Sequence, residues 1–307
     1  MTDLDELLEK TSRTFALSIP RLPEPTRTEV GVAYLLFRIA DTFEDSATWG
    51  RRRRIRALNL FCELLEGDQE QAGRRLGRAR GWARRWYAEV PIDHAGYQQL
   101  MADVPAVLDA FFQLREPARR LICEHTVRTA RGMAGFVERT GEDGELRLAD
   151  LEDLREYCYV VAGIVGEMLT ELFVLERAAL APVAGELRAR SRAFGEGLQL
   201  VNILKDSPFD ADEGRSYLPP GVERGEVLAL ARRDLDAAAV YVETLREAGA
   251  PRGIVGFNAL NLLLAFAALD RLEAHGPGAK ISRQQVAEIA AALDHALERG
   301  LPVLSPA

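Results

Sequence analysis

Glycine and proline divide this sequence into long segments of helical period, and no series of alternating β-branched residues interrupts them. The spacing predicts helices over roughly 3–17, 25–46, 51–66, 70–88, 95–113, 116–140, 150–178, 184–206, 223–247, 252–274 and 282–298. An all-α architecture follows. The loops at 139–147 (RTGEDGELR) and 218–222 (LPPGV) lack the length and composition of flexible linkers, so residues 1–307 read as a single domain, a helical bundle with a central cavity. Apolar residues make up 48% of the chain, enough for a substantial core.

The formal charge of −8 argues against nucleic acid as a partner, because nothing compensates for repulsion from a polyanion. The basic run Arg51 to Arg54 reads as a solvated helix start after Gly50, with contact to anionic lipid or substrate phosphate as the alternative. Cys62, Cys123 and Cys158 are odd in number and widely spaced, which suits a reducing cytoplasm and suggests neither disulfides nor zinc. No apolar run is expected to reach the ~20 residues that cross a bilayer. The reading is a soluble, cytoplasmic protein, at most peripheral on a membrane. The four histidines form no local metal pattern.

Two acidic stretches carry the chemistry. In Tyr34 to Asp45 (YLLFRIADTFED), Asp41, Glu44 and Asp45 stand at i, i+3 and i+4, on one helix face, with Tyr34 and Arg38 on the same stripe. In Gln199 to Asp210 (QLVNILKDSPFD), Gln199, Asn202, Asp206 and Asp210 form a second polar stripe. Like charges at such spacing need solvation or a cation. Two readings stay open: solvated acidic faces, or a site where carboxylates hold Mg²⁺ with substrate phosphates. Apolar flanks around both stripes favour the second.

At these residues the chain resembles the squalene/phytoene synthase family. Ser12 to Phe15 (SRTF) is similar to its SRSF signature, ADTFED to the DTLED form of its first aspartate-rich motif, Tyr157 to Gly166 (YCYVVAGIVG) to its YCxxVAGxVG segment, and Leu198 to Asp210 to its LQxxNIxRDxxxD segment. The resemblance implies an isoprenoid synthase-type helical fold and head-to-head condensation of two farnesyl diphosphates, through presqualene diphosphate to squalene, with Mg²⁺ and NADPH. It implies that Asp41, Glu44, Asp45, Asp206 and Asp210 ligate Mg²⁺, and that Ser12, Arg13, Tyr34, Arg38, Gln199, Asn202 and Lys205 contact diphosphate or support the metal shell. Tyr157 would stabilise a carbocation or move a proton near it. Phe257 to Ala265 resembles the helix that walls the second substrate region. Gly278 to Arg283 resembles a basic segment associated with NADPH, which makes Lys280 and Arg283, with Asn202 and Lys205, candidate cofactor contacts; a solvated loop is the other reading of Lys280 and Arg283. Peripheral membrane contact would serve to discharge an oily product.

Three departures qualify the resemblance. Lys205 stands where the family has arginine, replacing a bidentate fork by a point charge. Pro208 predicts a kink or helix end before Asp210. The chain stops at Ala307 without the hydrophobic anchor of eukaryotic relatives, which implies a soluble enzyme of bacterial type. Other outcomes are a phytoene, dehydrosqualene or presqualene diphosphate synthase that omits reduction, and a non-catalytic scaffold. Retention of all five carboxylates and of Tyr157 weighs against the scaffold.

Overall fold

The computed structural model describes residues 4–12, 14–46, 49–67, 71–89, 94–141, 146–212 and 217–304, the side chains of 87–89 and 208–212 excepted. The described residues form helices and contain no strand: α1 (Leu4–Thr11), α2 (Phe15–Ser18), α3 (Thr26–Glu44), α4 (Arg51–Leu65), α5 (Ala72–Glu89), α6 (Ala95–Ala102), α7 (Val104–Gln113), α8 (Glu116–Glu138), α9 (Leu151–Cys158), α10 (Ile164–Glu176), α11 (Ala184–Asp212), α12 (Arg224–Glu247), α13 (Arg252–His275) and α14 (Arg283–Arg299). They group into two compact units, one of residues 1–17 and 24–144, the other of 18–23 and 145–307.

In the first unit, α3 packs against α4, α7 and α8, and α1 against α3 and α6. Val30, Val32, Leu35, Leu36, Ile39 and Phe43 bury most of the α3 surface. The helix predicted over 3–17 breaks at Ser12, whose Oγ accepts the Phe15 N–H at 2.9 Å and so opens α2. The helix predicted over 95–113 breaks at Asp103, because Pro105 in the first turn of α7 cannot continue the α6 hydrogen-bond ladder. Gly96 lets α6 approach the Lys10 carbonyl closely; a Cβ there would collide with it.

The Arg51 to Arg54 run is not simply solvated. Arg51 Nη1 donates to the carbonyls of Thr140 (3.0 Å) and Glu138 (3.4 Å), satisfying acceptors left over at the end of α8. Arg54 is buried and donates to the Glu44 carbonyl at 3.0 Å.

In the second unit, α11 packs most extensively on α12, with α10 and α13 alongside. Asp150 caps α9 by accepting the Asp153 N–H at 2.9 Å, and Ser282 with Gln285 forms a capping box at α14. The helix predicted over 150–178 contains a π-helical turn at Tyr159–Gly163. Gly166 and Gly195 then allow close packing on α11: a Cβ at Gly166 would strike the Ser191 carbonyl, and one at Gly195 the Ala162 carbonyl.

Of the kink or helix end expected at Pro208, the end is not found: α11 runs on to Asp212. Proline removes the N–H that would reach the Leu204 carbonyl. That oxygen instead accepts from Ser207 Oγ at 3.3 Å and Arg224 Nη1 at 3.4 Å. Two stretches, Leu151–Glu176 and Arg252–His275, are long and apolar enough to cross a membrane by length and composition, which the sequence reading did not expect. The second has 72% of its most apolar window buried, as a core helix does.

Candidate active site

On α3 and at its C-cap, Tyr34, Arg38, Asp41 and the capping Asp45 lie along one side of a helix whose other sides are core. Arg38 is the hub. Its Nη1 lies 3.3 Å from Asp41 Oδ2, its Nη2 donates to Tyr34 Oη at 3.2 Å, and its guanidinium sits 5.5 Å from the Tyr34 ring centre and 5.6 Å from that of Tyr97. Tyr34 in turn donates to the Thr11 carbonyl at 2.9 Å and packs on Phe15, which ties the Ser12 turn to the stripe. Arg13 lies outside the described residues.

Burial works against the Arg38 charge, but Asp41, Tyr34 and Tyr97 outweigh it and hold the pKa above the usual arginine value. Burial pushes the Asp41 carboxyl up to about 6, with Asp45 adding to the rise and Arg38 opposing it. Asp45 is exposed, whereas Glu44 is buried. Among the described residues no three His, Cys, Asp or Glu side chains gather closely enough to hold an ion unaided. The donors on the stripe are carboxylate oxygens without thiol or imidazole, and Asp41 and Asp45 disfavour each other's charge. That fits Mg²⁺ bound by one or two carboxylates together with substrate phosphates.

The second acidic stretch lies on α11. Lys205 Nζ donates to Asn202 Oδ1 at 2.9 Å and lies 3.3 Å from Asp206 Oδ2, so the lysine links the amide and the carboxylate; Gln199 is half-buried one turn earlier. The Asp210 side chain lies outside the described residues. The Gly278 N–H donates to the Lys205 carbonyl at 3.1 Å, which ties the loop bearing Lys280 to this motif. Lys280 and Arg283 are exposed cations, a fit in charge to a phosphate-bearing cofactor. Tyr157 is 3% exposed and stacks on Tyr217, ring centres 5.0 Å apart and planes at 25°.

Residues 8–222 match the squalene/phytoene synthase family. The chain belongs to this family. Among curated relatives, squalene synthase of Schizosaccharomyces pombe is 29% identical over 214 residues, 70% of this chain and 43% of that protein. Squalene synthase of Mycosarcoma maydis is 31% identical over 222 residues, 71% of this chain and 35% of that one. The matched stretch thus spans less than half of either relative. A structure of TcSQS with the ligand BPH1237 superposes with a TM-score of 0.73 at 22% identity, covering 94% of this chain and 84% of the other. A dehydrosqualene synthase complex gives 0.56 at 18%, covering 96% and 95%. These structures share the all-helical fold.

Within the family fold, two tyrosines missing from the sequence reading stand beside the candidate residues. Tyr97 comes from α6 and faces Arg38, and Tyr217 precedes the LPPG turn and faces Tyr157. Neither belongs to a periodic stripe; an aromatic beside a turn or helix start was the one local signal.

Proposed function

We propose that this member of the squalene/phytoene synthase family condenses two farnesyl diphosphates head to head, through presqualene diphosphate, to squalene. The stripe of Tyr34, Arg38, Asp41 and Asp45 along a core helix carries the reading, since a structural helix has no use for such a hub on its accessible side. Asp41, Asp45 and Asp206, joined by Glu44 and Asp210 on the family resemblance, would hold Mg²⁺, which when bound neutralises diphosphate charge and improves it as a leaving group.

Arg38 presents a planar guanidinium, fixed by Tyr34 and Tyr97, to phosphate oxygens. Ser12, Arg13, Gln199 and Asn202 are proposed as further diphosphate contacts, and Lys205 as a point charge between Asn202 and Asp206. Tyr157 offers a ring face, held by Tyr217, to an allylic cation, and its burial keeps water from quenching such a species. Lys280 and Arg283 would hold the phosphate of NADPH, which supplies hydride. The enzyme is placed in the cytoplasm, in at most peripheral contact with membrane and without nucleic acid as partner.

The test is incubation with farnesyl diphosphate and Mg²⁺, with and without NADPH, and identification of extracted products by mass spectrometry. Squalene formed only with NADPH supports the proposal. Presqualene diphosphate or dehydrosqualene under both conditions removes the reductant, and no pyrophosphate release from farnesyl or geranylgeranyl diphosphate sinks the catalytic reading.

A further inference from the structure

Helices α4 and α5 and the segment before them enclose a cavity of about 340 Å³, walled by Trp49, Trp82 and Trp86 and ringed by Arg52, Arg53, Arg56 and Arg85. Those are all three tryptophans of the chain. Phe43 fixes the wall, stacking on Trp49 at 6.0 Å and meeting Trp86 edge-on at 4.7 Å. It leaves α3 about 200° round from Asp41, so the cavity lies behind the acidic stripe and is separate from it.

The arginines are placed at a cost to the helix. The first turn of α4 holds no acid, and cations there oppose the helix dipole. Arg51 and Arg54 are taken up by backbone carbonyls, but Arg52 and Arg56 are exposed and have no acidic partner among the described residues. Arg53 lies 4.1 Å over the Trp49 ring. On a chain with net charge −8, a basic rim in which Arg52 and Arg56 meet no acid among the described residues, above an aromatic wall, is matched by an anion carrying an apolar body. Clustered arginine draws anionic headgroups, and indole rings favour the boundary between headgroup and acyl chain.

We propose that the α4–α5 face docks on anionic phospholipid membrane, with one lipid's phosphate on the arginine rim and its glycerol region against the tryptophans. The proposal stands on this cavity alone, so its failure would leave the condensation reading intact.

Because every tryptophan lines the cavity, intrinsic emission of the whole protein reports on it. The protein is titrated with phosphatidylcholine vesicles with and without phosphatidylglycerol, following co-sedimentation and emission. Binding and a blue shift confined to phosphatidylglycerol vesicles are expected. Replacing both Arg52→Gln and Arg56→Gln should weaken that binding at least about tenfold. Equal binding to neutral vesicles, an unshifted emission, or undiminished binding of the double variant overturns the proposal. So does the same shift from inorganic phosphate or a short oligonucleotide at matched phosphate concentration. Should the double variant lose its helical circular dichroism, sodium chloride decides with the unaltered protein: binding indifferent to added salt also overturns it.

Discussion

Asp41 works against its surroundings. Burial, with Asp45 adding to it, raises this carboxyl to about 6 despite the Arg38 guanidinium 3.3 Å away, so the ion pair does not offset the whole cost of its charge and a divalent cation would add to that offset. Asp41→Asn, close in shape, should lower the rate of pyrophosphate release about a hundred- to a thousandfold, the scale for losing one charge-stabilising contact in a transition state, with circular dichroism unchanged. Asp234 gives a test unconnected to catalysis. It is 7% exposed, its Oδ2 has no hydrogen-bond partner among the described residues, and burial, then Glu196, pushes its pKa up to about 6. The folded state therefore holds a proton that the unfolded chain releases near pH 4, so this group favours the fold most below pH 4 and loses its contribution as pH rises through 6. Asp234→Asn removes that dependence. Relative to the variant, the natural protein should lose about 2 kcal/mol between pH 4 and 7 in urea unfolding. Asp41, Asp45 and Arg38 were legible in the sequence because three- and four-residue spacing on one helix fixes which side chains share a side. Tyr97 and Tyr217 were not, because their partners come from other elements and a single chain carries no register between elements.

Helix positions were legible for the same local reason, and the misreadings mark where one residue overrides periodicity. Ser12 and Pro105 each split a predicted helix, while Pro208 leaves α11 whole because Ser207 and Arg224 replace the missing donor. No propensity could reveal that replacement, since Arg224 arrives from α12. Glycine draws the same contrast. Gly166→Ala places a methyl against the Ser191 carbonyl and should cost about 2–3 kcal/mol as the α10–α11 packing opens. Gly185→Ala, in the same helix pair but with open space around it, should gain about 0.5–1 kcal/mol from helix propensity. Thermal unfolding of the two variants side by side tests whether the close crossing, rather than glycine itself, is what the fold needs.

At the scale of the molecule, two compact units each carry one acidic stretch, and no set of three metal-binding side chains is assembled among the described residues. If the ion arrives with substrate, chelation by EDTA should leave Tm unchanged in the absence of diphosphate and abolish pyrophosphate release. Mg²⁺ with inorganic pyrophosphate should raise Tm where either alone does not. A preassembled metal site would instead lose Tm on chelation. The all-helical class was legible throughout, because absence of β alternation holds over the full length; the division into two units was not, because no linker composition marks it. The π-helical turn at Tyr159–Gly163 adds a constraint of phase. A wider turn accommodates one residue more than an α-helix would, and each residue advances a helix by about 100°. A chain shortened by one residue there could close the turn to an ordinary α-turn with the segments on either side close to their present phase, whereas the same deletion inside α10 would rotate everything before it against everything after it. Tyr157 and Gly166 would keep their neighbours in the first case and not in the second, so a one-residue deletion should be tolerated better at this turn than in the helix that follows.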